Sequence, residues 1–486
     1  MNWVIFCLLH IARFTWWTAT GFADIQSFIS SPTISTLSEA LMKLNDDFRN
    51  DLIPLLDGLS ANRLPPGKYF KFFEHEGKAL AFPNAIYPNY LALKRMLRLR
   101  ANTSGKLISD DALEGKLTDF LFRIKYASDQ SKVRSEIQKE IALLLKDVKN
   151  MQSMKTLFII PIMNLQVEEN VIIGDSSIVS FSLDILAALE AKYKLKFKFE
   201  EKSIKDSVLR IPEENQTRTV AIVVAEAPDE KKALELAIQK AETCLNILRL
   251  YGSGTSFVIR EEYIGSITQR LIKVNLTDGT YGEIASALNV GNHFPTILTK
   301  NLISELKTNV LPKIDALLVK EEDSLTSLQD DLLKAILWFG NSVKENQRNM
   351  KFVKAITALE TLLIPDGGTA KLDVIAKRFA SITFKSATDE KKKEVFSEMR
   401  SMYQLRSAII HSGEGYVYED DLQKAMLWVQ TTIQILLERA DKYPKLQDAI
   451  TKEFPITEKL YSQPFRRNIM KKIVRALTRH KDVSHS

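Results

Sequence analysis

Residues 352–368, FVKAITALETLLIPDGG, decide how the last third of this chain folds. Phe352, Ile356, Leu359 and Leu363 recur every three or four positions, which lines one face of a helix with apolar side chains. Pro365-Asp366-Gly367-Gly368 then ends that helix. The same period continues on both sides. Upstream, Leu328, Leu332, Ile336, Phe339 and Val343 make one stripe. Downstream, Leu372–Phe384 is a shorter helix, and Val395, Met399, Met402 and Ile409 form a long stripe that stops at Gly413. Leu422, Met426, Val429, Ile433 and Leu436 form the last. Such helices, joined by short connections, predict an all-α helical bundle over residues 325–445.

Ahead of the bundle the pattern changes. The polar run from Lys320 to Ser327 reads as a boundary. Before it, LFIIPIM from Leu157, VIIG from Val171, IVSFS from Ile178 and TVAIVVAE from Thr219 are short runs rich in β-branched residues, bounded by turn residues such as Gly174-Asp175. A helical pattern from Asp229 to Tyr251 lies among them, so residues 151–320 are expected to form an α+β domain. Residues 35–150 read as mostly helical, with Leu37, Ala40, Leu41 and Leu44 on one face and a second pattern from Ile137 to Val148. Residues 60–90 read as loop with short strands. The whole is expected to be a multidomain α+β protein: a helical N-terminal region, an α+β middle domain and a C-terminal all-α bundle.

A chain of 486 residues is long enough for several separate cores. Cys7 and Cys244 are too few for a disulfide framework or a zinc site, which favours a reducing, cytoplasmic setting. The formal charge of +7 is concentrated at one end: residues 459–486 hold eight Lys/Arg against Asp482 alone, and the remainder is neutral. In the tail (446–486), Phe465, Ile469, Ile473 and Leu477 recur at helical spacing. Arg466, Arg467, Lys471 and Lys472 around them are candidate phosphate contacts. A membrane-surface helix and a merely solvated terminus are the competing readings. At the other end, residues 1–34 begin MNWVIFCLLHIA, an apolar run without a preceding Lys or Arg and broken by Arg13. It is too short to span a bilayer and reads as a packed or anchoring segment or as an export signal. Acidic pairs at Asp110-Asp111, Asp330-Asp331 and Asp420-Asp421 fall at expected helix starts, where the helix dipole favours them, rather than forming metal sites.

The candidate chemistry lies on the long stripe ending at Gly413. Arg406 interrupts the apolar face between Met402 and Ile409, and a guanidinium there needs a partner. Glu360, beside core-facing Ile356 and Leu363, is the candidate. His411 belongs to another stripe, with Arg400, Gln404 and Ser407. Five residues separate it from Arg406 by about 140° on an ideal helix. His411 also occupies the last turn, where the dipole favours the imidazolium by about 0.3–1 kcal/mol at an exposed site. An imidazole able to move a proton and a guanidinium able to hold phosphorane charge suit RNA cleavage, in which the substrate's own 2′-OH attacks. No HExxH or Cys/His cluster is present, so no metal or cofactor is expected. Spacing alone does not single out this pair, because the tail repeats it at Arg475/His480 and Arg479/His485 without a bundle around them.

LRSAIIHSGE (405–414), preceded by Met402-Tyr403-Gln404, resembles the signature of HEPN domains, above all the ApeA-like HEPN branch. FVKAITALETLLIP (352–365) resembles that branch's second helix, with Glu360 as its acidic residue, and the helix at 371–384 also fits. The likeness covers residues 325–440 and matches the motif directly at Arg406 and His411. It implies a helical domain that dimerises, bringing two Arg/His pairs into one cleft. It also implies endoribonuclease activity of the kind used against phage or in toxin systems. Arg406, His411 and Glu360 are then the expected catalytic group, and Tyr403 and Ser407 expected substrate contacts. RNA and a second copy of the chain are the expected partners, and no membrane partner is expected. The alternative is a non-catalytic HEPN module that binds RNA or docks a protein.

Overall fold

A computed structural model describes residues 50–59, 69–75, 78–103, 108–127, 136–162, 164–194, 196, 219–252, 267–288, 296–320, 322–364 and 371–461. The apolar N-terminal segment and the tail positions Arg466, Arg467, Lys471 and Lys472 lie outside them. The fold is mixed α and β, rich in helix, with a modest sheet.

Two units are formed. The first runs up to Met154 and takes in Glu226–Ala233. Its hairpin, β1 (Tyr69–His75) and β2 (Lys78–Pro83), is antiparallel and irregular between Tyr69 and Lys71. Three helices follow, α1 (Tyr87–Thr103), α2 (Asp110–Lys125) and α3 (Ile137–Asn150). Their apolar faces meet on Leu52, Leu55 and Phe82, where Leu93, Leu117, Leu121 and Ile141 are fully buried. Ser109 caps α2 by accepting from the Ala112 N–H, and Asp110 and Asp111 fill its first turn. Asp229 accepts from the Ser109 N–H at 2.9 Å and Lys231 pairs with Asp111 at 2.6 Å, which fastens Glu226–Ala233 to this unit. The basic run at Lys94–Arg100 forms part of α1, where Lys94 and Arg98 pair with Glu114 and Asp110.

The second unit holds Lys155–Ala225 and the chain from Leu234 onward. Six strands form one sheet in the order β5-β6-β7-β3-β8-β9: β5 (Val171–Ile173), β6 (Ser176–Ser180), β7 (Thr219–Ala227), β3 (Met154–Pro161), β8 (Ile267–Asn275) and β9 (Tyr281–Leu288). The pairs β5–β6, β6–β7, β3–β8 and β8–β9 are antiparallel. A separate parallel pair joins β4 (Leu165–Val167) to β10 (Thr296–Leu298). Every residue of β3 from Thr156 to Pro161 is buried, as expected of a run apolar on both faces. Leu157 and Ile159 share a core with Leu186 and Leu189 of α4 (Leu183–Tyr193).

Helix α5 (Glu230–Tyr251) connects the sheet to the helices beyond it. On one side Cys244 Sγ lies 3.8 Å from the Ile173 carbonyl, and burial pushes its thiol up to about 12. So placed, Cys244 packs as a small apolar side chain. On the other side α5 approaches α8 (Ser327–Lys344) so closely that a Cβ at Gly340 would collide with the Asn246 side chain. The fully buried Arg249 donates to Glu242 at 3.0 Å and to Asn246 at 2.5 Å, and Lys344 reaches Glu242 at 3.0 Å.

After α6 (Lys300–Asn309) and α7 (Leu311–Leu318) come α8, α9 (Arg348–Leu363), α10 (Lys371–Thr383), α11 (Asp389–Ser412) and α12 (Glu419–Leu437). Their stripes become the core: Leu332, Phe339, Phe352, Ile356, Leu359, Val395, Met399, Val429 and Ile433 are at most 0 % exposed. Phe379 of α10 lies 4.6 Å from Trp428 of α12, ring centre to ring centre. Thr326 and Gln329 form a reciprocal capping box at the start of α8, Thr388 caps α11, and Gly413 ends α11 at φ 68°. Among the described residues no helix is long and apolar enough to cross a membrane, and no group of His, Cys, Asp and Glu is arranged to hold a metal ion.

Candidate functional site

Helices α9 and α11 bring Glu360, Tyr403 and Arg406 together. Glu360 sits one position after the fully buried Leu359, so its carboxylate emerges at the edge of the core with 16 % of the side chain exposed. Arg406 NH2 approaches Glu360 Oε2 at 3.1 Å. Tyr403, one helical turn before Arg406, donates its hydroxyl to Glu360 Oε1 at 3.1 Å, and the guanidinium carbon lies 5.7 Å from the centre of its ring. Burial, then the Glu360 charge and the hydrogen bond to it, push the Tyr403 phenol up to about 12. It therefore stays protonated as a donor. Tyr403 is itself 9 % exposed, and its hydroxyl is engaged with Glu360.

Sequence reasoning missed Lys371. This first residue of α10 donates to Glu360 Oε1 at 3.1 Å. One carboxylate thus faces two cations and a phenol. The available signal was a lysine opening a helix two residues beyond the Pro-Asp-Gly-Gly stop, a place where the dipole gives a cation no advantage. Close by, Asp373 of α10 pairs with Arg400 of α11 at 3.0 Å, and Arg400 lies over the Phe396 ring at 5.6 Å.

His411 is exposed in the last turn of α11, on the side of the helix that carries Gln404 and half-buried Ser407. No contact joins His411 to Arg406 among the described residues; five helical steps turn the two about 140° apart and lift them roughly 7.5 Å along the axis. The helix end bearing His411 is held firmly. Ser412 donates to the Ala408 carbonyl at 2.7 Å. Beyond Gly413 the chain folds back, and Asn349 of α9 clasps it, donating to the Gly415 carbonyl at 3.0 Å and accepting from the Val417 N–H at 3.3 Å. Gly415 has φ 133°, and a Cβ there would press on Leu405 and Ile409 at 3.0 Å. Arg348 then anchors the exposed Tyr416 hydroxyl at 3.0 Å and Glu419 at 3.3 Å.

The arrangement comprises an oriented guanidinium at the core's edge and, on the same rigid helix, an imidazole open to solvent. No protein-family model, curated protein or solved structure matches the chain.

Proposed function

We propose that this chain is a metal-independent endoribonuclease whose last helices, residues 325–445, act as a HEPN-type domain. The observation that carries the reading is the Glu360–Arg406 pair at 3.1 Å, locked by Tyr403, on the same helix as an exposed His411. In the reaction the ribose 2′-oxygen attacks the adjacent phosphorus, and the bond to the departing 5′-oxygen breaks. His411 takes the 2′-OH proton or returns one to the 5′-oxygen, and Arg406 neutralises charge on the phosphorane. The products are a 2′,3′-cyclic phosphate and a 5′-hydroxyl. One imidazole per chain supports half of this proton traffic, so a homodimer presenting two Arg/His pairs to one cleft completes it. Glu360 holds Arg406 in register, and residues 35–320 select the RNA or sense a trigger, in a cytoplasmic defence or toxin setting. Purified protein incubated with RNA in EDTA tests the reading: cyclic-phosphate ends support it, and cutting that depends on magnesium or survives His411→Ala refutes it.

One observation favours a second reading, a non-catalytic adaptor. Arg406 is only 18 % exposed and its guanidinium is engaged by Glu360, as in a residue whose task is to join α9 to α11. In that case Arg406→Ala would loosen the fold, and no RNA would be cut under any condition.

A further inference from the structure

Glu360 is surrounded by more positive charge than it neutralises. Its two oxygens are shared between Arg406 and Lys371, each at 3.1 Å, and the Tyr403 hydroxyl supplies a third donor. Asp373, the nearest acid on α10, is engaged with Arg400. Among the described residues, one carboxylate against two cations leaves a unit of positive charge where Glu360 is largely shielded from water. The two cations differ in access: the Arg406 side chain is 18 % exposed and rests against Tyr403, whereas Lys371 is 42 % exposed. Lys371 also opens α10, and a helix start attracts anions. An anion approaching this edge therefore meets Lys371 first.

We propose that Lys371 is a second phosphate-binding residue of this site, gripping the RNA backbone beside Arg406; the inference rests on RNA being the ligand. An ammonium on a flexible stem has three donors, so it can keep Glu360 and still donate to a phosphate oxygen.

The test uses the full chain carrying His411→Ala, so that bound RNA stays intact, and a single-stranded oligoribonucleotide titrated at several salt concentrations. Each phosphate contact on a single strand contributes about 0.7 to the slope of log affinity against log salt. Lys371→Ala is expected to lower that slope by about one such contact and to weaken binding alike for different sequences, while Lys371→Arg retains both. Lys371→Gln, which keeps the stem, replaces Lys371→Ala if the latter folds poorly. An unchanged slope overturns the inference while leaving the ribonuclease reading intact. Conversely, binding without cutting by the wild type overturns the catalytic reading, and the slope still decides the role of Lys371. A wild type that neither binds nor cuts RNA overturns both.

Discussion

Glu360 meets Arg406 across two helices at 3.1 Å, so the guanidinium is oriented by a residue 46 positions earlier in the chain. Glu360→Gln keeps the shape and removes the counter-charge. Hydrogen bonds to charged groups set the expected loss at about 1.5–3 kcal/mol of stability, read from urea unfolding. If the chain is the ribonuclease proposed above, misplacing Arg406 is expected to slow RNA cleavage on the order of 10²-fold. A full-rate Glu360→Gln enzyme would show that the carboxylate has no part in orienting Arg406.

His411→Ala tests the exposed imidazole. If His411 is the general acid–base of the proposed ribonuclease, its removal is expected to cost at least about 10²-fold in cleavage rate. Because the side chain is exposed, stability should change by less than about 0.5 kcal/mol. Comparing the rate with the thermal midpoint separates lost chemistry from lost fold.

Gly340→Ala probes the closest approach between α5 and α8. The new methyl group would strike Asn246, which is held in turn by the buried Arg249. Overpacking of this kind is expected to destabilise the second unit by about 1–3 kcal/mol. Gly115, where a Cβ meets nothing within 4 Å, is the control position, and Gly115→Ala should not destabilise.

Glu242 is a counter-charge of Arg249, whose side chain has no exposure. Burial pulls the guanidinium below its usual range, and the Glu242 charge opposes that shift. Glu242→Gln removes one of the charges that face buried Arg249 and is expected to cost about 1–3 kcal/mol. Lys344 loses its partner at the same time, so a double-mutant cycle with Lys344→Met should be non-additive.

Alkaline pH provides a further check. The folded-state phenol of Tyr403 titrates at about 12, against 10.0 for a free tyrosine. Below pH 10 both states are protonated and stability is unaffected. As pH rises from about 10 towards 12 the unfolded chain loses its proton first, so stability falls. Tyr90 and Tyr251, also pushed to about 12, contribute in the same direction. Tyr403→Phe should therefore make the thermal midpoint less sensitive to pH over this interval.

Periodicity made much of the architecture legible. The stripes through Leu332, Ile356, Met399 and Val429 are the buried faces of α8, α9, α11 and α12, and Gly413 ends α11 in the left-handed conformation. An arginine on an apolar stripe required an acid, and Glu360 was in reach. Lys371 escaped notice because a lone lysine at a helix start looks solvated until its neighbours are known. The Gly340–Asn246 approach and the Arg249–Glu242–Lys344 network left no periodic trace, since each depends on the depth at which α5 lies against α8.

By itself the chain of residues determined where the helices of the last third run and which faces they bury, because those properties follow from local repeats and end signals. Only the tertiary structure decided which distant charges share a carboxylate and which cation remains open to solvent. Attraction between charges reaches any partner, and packing alone selects the one brought within 3.1 Å.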